Sequence, residues 1–271
     1  MKRTAVILCA ALLSSCGGGD TATPAKTRPV EPTPVVAAKW GLVWSDEFDG
    51  ATVDATNWIV QDGASQVNSE RQYYTPSDVY LENGSLVLRS QQRTMGGRAY
   101  TSGEVRTGTK RTVSVGNAVE WRTQTPSGKG IWPANWLVNT PCDGLNGCGA
   151  NWPPEIDVME IRGSAPDENV MTHWWGTYPG QGHESSIYNG TALSSGYHTY
   201  RIEWFADSVH WYVDGTRRAR HTNNVTLGVM QLVMNTAVGG DFDGAPSSAT
   251  EFPQYHRIDY VRVYRDTANF H

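Results

Sequence analysis

The sequence has little charge, few cysteines and no long apolar run. Charged residues make up 18% of its 271 positions, and the net charge at pH 7 is −5. The net charge is slightly negative and no basic stripe runs through the sequence, which argues against a nucleic-acid partner, because phosphate binding needs concentrated basic side chains. The apolar stretch at residues 4–13 is about half the roughly twenty residues of a membrane-spanning helix. Residues 39–265 also lack helical periodicity, which excludes a mainly helical fold.

Residues 1–16 predict an export signal with a lipid attachment site. Two basic residues precede the apolar stretch, as in a signal peptide. The segment Leu13–Cys16 resembles a bacterial lipobox, in which Cys16 is lipidated and becomes the mature N-terminus. Gly17 follows instead of an acidic residue, which favours the outer membrane, on its periplasmic or cell-surface side, over the inner one. The alternative is an ordinary cleaved signal peptide with an incidental cysteine.

Residues 17–38 predict a tether, and residues 39–271 predict a single domain. The tether contains several prolines and no apolar run that could pack, so it should stay extended and solvated. The remaining residues, about 230 in number, suffice for one β-sandwich with a large core. We expect a monomer that only the lipid anchor connects to the membrane.

Cys142 and Cys148 predict a disulfide. Cys9 is removed with the signal peptide and Cys16 carries lipid, so these two remain for the domain. Disulfides are favoured in exported proteins. A zinc site would need further ligands, which the surrounding sequence does not offer.

Short alternating segments separated by turn residues predict an all-β fold. The segment His198–Trp204 alternates between apolar and polar side chains, as a half-buried strand does. The dipeptides Asn83–Gly84 and Asp214–Gly215 follow strand-like runs and predict hairpin turns. Further strands are predicted at residues 99–106, 118–124, 155–162, 168–175, 228–236 and 256–264. Many short strands with little helix describe a sandwich of two antiparallel sheets.

One predicted strand, Glu155–Ile161, carries three acidic residues. Glu155 and Asp157 are two positions apart and therefore project from the same face. Glu160 would point to the opposite face of a regular strand. A β-bulge at residues 158–159 would absorb one residue and return Glu160 to the acidic face. The sequence therefore predicts a bulged strand with three carboxyls on one face.

Three crowded carboxyls predict acid–base chemistry. Neighbouring carboxyls push each other's pKa values apart, so that one holds a proton while another is ionised. Cleavage of a glycosidic bond needs this division between a protonated acid and an ionised group at the anomeric carbon. The residues leave two alternatives open: a solvated strand edge, and a divalent-cation site, although calcium sites usually draw their oxygens from loops.

This strand and five further segments resemble glycoside hydrolase family 16. Glu155–Glu160 matches the family's E-x-D-x-x-E signature in its bulged form. The segments that resemble the bacterial laminarinase branch are Trp44–Gly50, Gln72–Thr75, Gly128–Trp136, Ala237–Gly240 and Ile258–Tyr264. The resemblance covers nearly all of the domain. It implies a β-jelly roll with a substrate cleft across its concave face.

The resemblance implies a retaining mechanism that needs no cofactor. Glu155 matches the nucleophile and Glu160 the general acid/base. Asp157 matches the residue that holds this pair in its working protonation states. Retention needs the two catalytic carboxyls roughly 5 Å apart. His173, on the following strand, matches a histidine near the reactive subsite and is counted with the catalytic residues.

The resemblance also implies sugar-binding residues. Tryptophan is abundant, with eleven residues, and its flat apolar ring suits the faces of sugars. Trp132 and Trp136 match aromatic platforms in the cleft, and their spacing of four places both on one strand face. Asn68 and Asn235 match residues that contact the substrate.

A structural calcium ion on the convex side is a further implication of the family. Glu47, Gly84 and Asp259 match its usual ligands, partly through backbone oxygens. Such an ion would lie far from the reaction and take no part in it.

The sequence departs from the laminarinase pattern where subsites would be built. Glu104 stands where laminarinases commonly carry arginine, with Arg106 two residues later; the loop His173–His183 and the Pro153–Pro154 pair also differ. We expect endo-hydrolysis of β-1,3-glucan of the laminarin type. The alternatives are agar, carrageenan or mixed-linkage glucan as substrate, transglycosylation, and a non-catalytic carbohydrate-binding sandwich. Sulfated substrates demand basic side chains, which this sequence lacks in quantity.

Overall fold

The computed structural model describes residues 39–143, 145–191, 193–225 and 228–268. The predicted signal peptide with Cys16 and the predicted tether lie outside the described residues. In the described ranges, no helix is long and apolar enough to cross a membrane. Helical structure there is confined to short 3-10 turns at Pro76–Asp78 and Gly149–Asn151. The predicted all-β fold is confirmed.

The strands are short and follow one another closely along the chain. In order they are β1 (Trp40–Asp46), β2 (Ile59–Val60), β3 (Gly63–Ala64), β4 (Gln72–Tyr74), β5 (Val79–Leu81), β6 (Leu86–Ser90), β7 (Tyr100–Ser102), β8 (Glu104–Arg106), β9 (Thr112–Val113), β10 (Asn117–Gln124), β11 (Ile131–Asn139), β12 (Glu155–Ile161), β13 (Glu168–Trp175), β14 (Gly182–Asn189), β15 (His198–Trp204), β16 (Ser208–Val213), β17 (Thr216–Thr222), β18 (Met230–Val238) and β19 (Gln254–Asp266).

Two large antiparallel sheets form the jelly roll. Sheet A has the strand order β17-β16-β15-β10-β19-β6-β5, with β1 also paired to β19. Sheet B has the order β14-β13-β12-β11-β18-β8-β2, with β9 also paired to β18. A small third sheet joins β3, β4 and β7. The acidic strand β12 therefore lies inside sheet B, with neighbours on both sides to fix its register.

Side chains from both sheets meet in one apolar core. The largest fully buried side chains in this core are the aromatic residues Trp58, Trp121, Trp204, Trp211 and Tyr200. Each such side chain removes roughly 150–250 Å² from water, so these rings dominate the hydrophobic stabilisation. The alternation predicted for β15 is confirmed on its inner face, where Tyr200, Ile202 and Trp204 are all buried.

The outer face of sheet A is more covered than the alternation alone predicts. Arg201 and Glu203 point away from the core, yet both are buried. The Arg201 guanidinium lies over the rings of Trp40 and Tyr264, 5.4 and 4.8 Å from their centroids, and its Nε donates to Glu203. Stacked rings and paired charges therefore exclude water from this part of the surface.

Both predicted hairpin turns are present. Asn83 and Gly84 have φ values of +53° and +69° between β5 and β6, and Asp214 and Gly215 have +50° and +71° between β16 and β17. Two successive residues with positive φ are typical of the hairpin turns that match strand twist. The strand that follows the Asp214–Gly215 turn is β17.

The strand predicted at residues 99–106 is two strands that belong to different sheets. β7 pairs with β4 in the small sheet, whereas β8 pairs with β18 and β2 in sheet B. The break falls at Gly103, where an added Cβ would lie 2.7 Å from the Asp78 carbonyl oxygen and 3.1 Å from the Leu88 Cα. Only glycine permits this close approach of backbones.

Candidate active site

Strand β12 carries the predicted bulge. Against β13, Asp157 is opposite Thr172 and Glu160 is opposite Val170, so two residues of β12 face one of β13. Against β11, Glu160 is opposite Ala134 and Asp157 opposite Trp136, again with an extra residue on β12. The extra residue restores the alternation and brings Glu160 to the face of Asp157. The bulge expected from the E-x-D-x-x-E spacing is confirmed.

The apolar residues of the bulged strand anchor it in the core. Ile156, Val158, Met159 and Ile161 are all 1% exposed or less and belong to the main apolar cluster. Because these four side chains fill the inner face, a slip of β12 by one residue would bury carboxyls and expose apolar groups. The core therefore fixes which face carries the three acidic residues.

Each of the three carboxyls accepts a hydrogen bond from a tryptophan indole. The pairs are Trp152 with Glu155 at 3.0 Å, Trp174 with Asp157 at 3.2 Å, and Trp132 with Glu160 at 2.9 Å. The three indoles come from the segment before β12, from β13 and from β11. An indole supplies one N–H donor on an apolar body, so it holds a carboxyl while excluding water around it.

The electrostatics of the cluster favour protonated carboxyls. Burial raises the pKa of Glu155, and the charge of Glu160 raises it further. Burial also raises the pKa of Asp157, with added contributions from Glu160 and then Glu155. Burial also raises the pKa of Glu160, and the hydrogen bond from the Trp132 indole lowers it. The cluster can therefore hold protons at a pH where an ordinary carboxyl is ionised, as a general acid must.

Trp132 and Trp136 lie on the same face as the carboxyls, as the spacing predicted. Their strand β11 is opposite β12 on one side and β18 on the other. The Trp136 indole donates to the Asn235 side-chain oxygen at 2.9 Å, and the Asn235 amide donates to the Tyr74 hydroxyl at 2.9 Å. Asn235 therefore lies on the cleft face, where it fixes Trp136.

Asn68 lies beside the Trp132 end of the cleft. It is exposed, with φ +52°, and its amide donates to Glu70 at 3.2 Å. Its backbone oxygen accepts from Asp241 at 2.8 Å. An added Cβ on Gly240 would lie 3.0 Å from that oxygen and 3.3 Å from the Trp132 ring. Asn68 is thus close to a cleft tryptophan, at a position open to substrate.

His173 does not face the cleft, so the expectation that it lies near the reactive subsite is wrong. It is opposite Ile156, whose side chain points into the core, and it is fully buried. Burial lowers the pKa of His173 to about 4, so the ring is neutral and packs against Trp175, 5.2 Å between centroids. Trp174, which is opposite Glu155, occupies the cleft position instead.

Glu104 and Arg106, the departure from the laminarinase pattern, form a buried pair on the cleft face. Glu104 is opposite Asn235, and Arg106 is opposite Val233. The guanidinium donates to the Glu104 carboxyl and also to the Cys142 carbonyl oxygen. Arg106 is therefore engaged by protein groups and does not offer a free cation to a sulfated substrate.

The predicted disulfide is present and lies over one end of the same face. Cys142 and Cys148 are bonded, with 4.4 Å between their Cα atoms. Cys142 packs with Val138 and Val233 in a second apolar cluster, which Trp136 and Trp152 flank. The disulfide segment thus covers sheet B next to Glu155.

The predicted calcium ligands hold other partners. The Glu47 carboxylate accepts two hydrogen bonds from Arg262, at 2.9 and 3.0 Å, and Asp259 accepts one from Arg122 at 2.7 Å. In the part of the chain that the structure describes, no group of three His, Cys, Asp or Glu side chains is arranged to hold a metal ion. Glu47 and Asp259 could bind calcium through their carboxyls only by giving up these arginine partners.

A jelly roll with three carboxyls on one strand of a cleft has the acidic groups that glycoside hydrolysis needs. Residues 65–262 match the family described as glycosyl hydrolases family 16. The chain belongs to glycosyl hydrolase family 16.

Relatives and solved structures agree with this family. The chain is 32% identical to a glucan endo-1,3-beta-glucosidase A1 of Niallia circulans, over 87% of this chain and 39% of that protein. It is 33% identical to a beta-glucanase of Rhodothermus marinus, over 98% of this chain and 95% of that protein. The laminarinase catalytic domain of Thermotoga maritima MSB8 has a TM-score of 0.76 and 33% identity, over 84% of this chain and 99% of that one. The chain thus spans well under half of the Niallia protein but nearly all of the other two.

Two indole donors, Trp152 and Trp174, were not predicted from the sequence. On β13 the residues at 170, 172 and 174 and those at 171, 173 and 175 each include apolar side chains, so alternation does not choose the cleft face. The register against β12 chooses it. Trp152 precedes two prolines in a turn-rich segment, where no strand pattern predicts a direction.

Proposed function

We propose that this protein is a retaining endo-glycoside hydrolase that cleaves β-1,3-glucan of the laminarin type. The observation that carries the proposal is the cleft face of sheet B, where three carboxyls lie between Trp132, Trp152 and Trp174. This face offers aromatic rings and hydrogen-bonding groups, and its Arg106 is engaged by Glu104. Such a surface suits a neutral glucan better than a sulfated one. The relatives named above act on β-glucans by their names, which supports the same substrate class.

The reaction proceeds by two displacements at one carbon. Glu155 attacks the anomeric carbon as the bond to the leaving oxygen breaks, and Glu160 gives its proton to that oxygen. Water then attacks the same carbon while Glu160 takes a proton from it, and Glu155 leaves as a carboxylate. Asp157, between them on the strand, raises the cost of a second negative charge and so keeps a proton in the cluster.

The direct test is a comparison of polysaccharides. The domain from residue 39 onward is incubated with laminarin, lichenan, agarose and κ-carrageenan, and the products are identified by mass spectrometry. We expect oligosaccharides from laminarin, with slower release from lichenan. If agarose or carrageenan is cut while laminarin stays intact, the substrate proposal is wrong and the hydrolase assignment stands. If no polysaccharide is cut, a binding function takes its place.

Trp136 tests the contribution of stacking. We expect Trp136→Ala to lower kcat/KM on laminarin by a factor that corresponds to about 1–3 kcal/mol of lost transition-state stabilisation, because the ring offers a large apolar face to the sugar. Asn235→Ala is the matched comparison, since it releases the Trp136 indole but keeps the ring. Asn235→Ala should lower kcat/KM less than Trp136→Ala does. Equal activity of wild type and Trp136→Ala would remove this platform from the proposal.

The proposal extends to the location of the enzyme. The lipobox-like segment Leu13–Cys16 supports a lipid anchor at Cys16, and Gly17 after it supports the bacterial outer membrane. We also expect the protein to be a monomer. Labelling of the expressed full chain with radioactive palmitate, lost in Cys16→Ser, would support the anchor. Gel filtration with light scattering of the domain from residue 39 tests the monomer.

A structural calcium ion is kept as a proposal that rests on the family resemblance and on the neighbourhood of Gly84. An added Cβ at Gly84 would lie 3.5 Å from an Asp49 carboxyl oxygen, so an acidic side chain lies beside this turn. A fall in Tm on addition of EGTA, reversed by excess calcium, would support the ion. An unchanged Tm would exclude it.

A further inference from the structure

Trp152 holds Glu155 from outside the sheet. Its indole N–H donates to a Glu155 carboxyl oxygen at 3.0 Å. Its ring lies 5.3 Å from the ring of Trp174 and 6.0 Å from that of Tyr178, both centroid to centroid. The other two carboxyls receive their indoles from strands β13 and β11, whereas Trp152 stands on a non-strand segment. Its position must therefore be fixed by something other than a strand ladder.

The segment that carries Trp152 is tied to sheet B at its base. Asn139 donates through its backbone N–H to the Pro154 carbonyl at 3.1 Å, which brings the two ends of the segment together. The Cys142 carbonyl accepts from Arg106 and, at 3.0 Å, from the Gln231 amide. Arg106 is itself held by Glu104. The buried Glu104–Arg106 pair therefore supports the disulfide segment.

The outer part of the segment is tied to the chain before β4. The Leu145 carbonyl accepts from the Gln66 backbone N–H at 2.7 Å. An added Cβ on Gly63 would lie within van der Waals overlap of the Leu145 side chain, and one on Gly147 would lie 3.1 Å from Val67. After the disulfide, the 3-10 turn Gly149–Asn151 leads directly to Trp152. The short covalent ring leaves this turn little freedom to move.

An N–H that donates to a buried carboxyl favours its charged form and fixes its orientation. Such a hydrogen bond is stronger in a site that excludes water than in solution. In a retaining enzyme the nucleophile must be ionised although its neighbours are also acidic. Burial raises the pKa of Glu155, and the hydrogen bond from the Trp152 indole lowers it, which favours the ionised carboxylate.

We propose that Trp152 is a positioning residue for Glu155, and that the Cys142–Cys148 segment exists on this cleft to hold its indole in place. The inference rests on the proposed function only in taking Glu155 as the nucleophile. The Glu104–Arg106 pair, which departs from the laminarinase pattern, then has a role as the support of this segment.

The test replaces the indole by a ring without a donor. Trp152→Phe should lower kcat by about ten-fold to a hundred-fold, the range expected for a hydrogen bond to a charged group, with a small change in KM. The acid limb of the pH profile of kcat/KM should move to higher pH, because Glu155 loses a group that favours its ionised form. Trp175→Phe is the matched control: it is the same change on β13, and its ring packs against His173 on the core side. It should leave the pH profile unchanged.

A second measurement needs no substrate. The Glu155 carboxyl is titrated by carbon-13 NMR in the free enzyme, with Glu155→Gln for assignment. We expect a higher pKa for Glu155 in Trp152→Phe than in the wild type. The double variant Cys142→Ser/Cys148→Ser should move it in the same direction by less, and this result holds even if Trp152→Phe does not fold. An unchanged Glu155 titration in the folded variants would overturn the inference, and a rise in KM alone would make Trp152 a wall of the cleft only. Either result leaves the proposed function intact.

Discussion

The three carboxyls of β12 differ in their partners from two other buried acidic side chains, Asp78 and Glu104. Asp78 is buried but forms ion pairs with Arg89 and Arg93, at 2.9 and 3.1 Å, and Glu104 is paired with Arg106. Glu155, Asp157 and Glu160 have indoles and each other instead of a guanidinium. A guanidinium would lower their pKa values and remove the proton that the reaction needs. The indoles satisfy the oxygens without cancelling the charge.

Single substitutions test the roles that we propose for Glu155 and Glu160. Glu155→Gln and Glu160→Gln should each nearly abolish hydrolysis while the far-UV and near-UV CD spectra stay native. In Glu155→Gly, azide should restore turnover and give a glycosyl azide of inverted configuration, because a small anion can replace the missing nucleophile. Product analysis by proton NMR reads the configuration. Full activity in either glutamine variant would contradict the assignment.

The same carboxyls should make stability depend on pH. Their pKa values are raised in the folded state, to about 8 for Glu155, so the folded protein binds more protons than the unfolded chain between roughly pH 4 and that value. The cluster therefore lowers the free energy of unfolding as the pH rises through this range. Glu155→Gln should raise Tm at pH 8 and have little effect at pH 4; a gain of about 1 kcal/mol corresponds to about 2–4 °C.

Glu184→Gln is the control for that measurement, since Glu184 is exposed on β14. It should change Tm little at either pH. A stability gain from Glu155→Gln that is equal at both pH values would mean that proton binding is not its cause.

At the scale of elements, the bulge in β12 decides whether the acidic residues act together. If β12 had no bulge and kept all its residues, its regular alternation would turn Glu160 toward the core. The pairing with β11 and β13 shows the bulge on both sides of the strand. The apolar residues at 158 and 159 are both buried, which stabilises this irregular stretch.

Changes in the length of β12 test the bulge. Deletion of Met159 leaves Glu155, Asp157 and Glu160 at regular two-residue spacing, so hydrolysis should persist while stability falls by about 2–5 kcal/mol for the lost core side chain. Insertion of one alanine after Val158 places Glu160 four residues after Asp157, which on a regular strand keeps its face but moves it along the strand away from Glu155. It should abolish hydrolysis, because retention needs the two carboxyls roughly 5 Å apart. Urea unfolding gives the stabilities. Loss of activity in a folded deletion variant, equal to that in the insertion variant, would show that alternation is not what the bulge restores.

At the scale of the whole molecule, the first and last strands close the sandwich. β1 pairs with β19 along its length, and the Lys39 carbonyl accepts from the Thr267 backbone N–H at 2.6 Å. Asp46, at the end of β1, accepts from the Trp58 indole at 2.7 Å, and the Trp44 ring lies 5.9 Å from the Trp58 ring. The N-terminal strand thus caps part of the core.

Truncation at two points tests this closure. A chain that begins at Lys39 should have the Tm of the full-length protein. A chain that begins at Glu47 should have a free energy of unfolding lower by about 1–3 kcal/mol, because the buried Trp58 indole loses its Asp46 acceptor. Differential scanning calorimetry measures both. If the two truncated chains have equal Tm, β1 does not stabilise the domain.

The sequence by itself determined what depends on local spacing. Turn chemistry at Asn83–Gly84 and Asp214–Gly215, the alternation in β15 and the extra residue in Glu155–Glu160 are all set by neighbours along the chain, so they could be predicted. The tertiary structure alone decided which face of β13 lines the cleft, because both faces carry apolar residues and only the register against β12 chooses between His173 and Trp174. It alone brought Trp152 to Glu155, since the path of a turn-rich segment depends on contacts with distant groups such as Arg106 and Gln66.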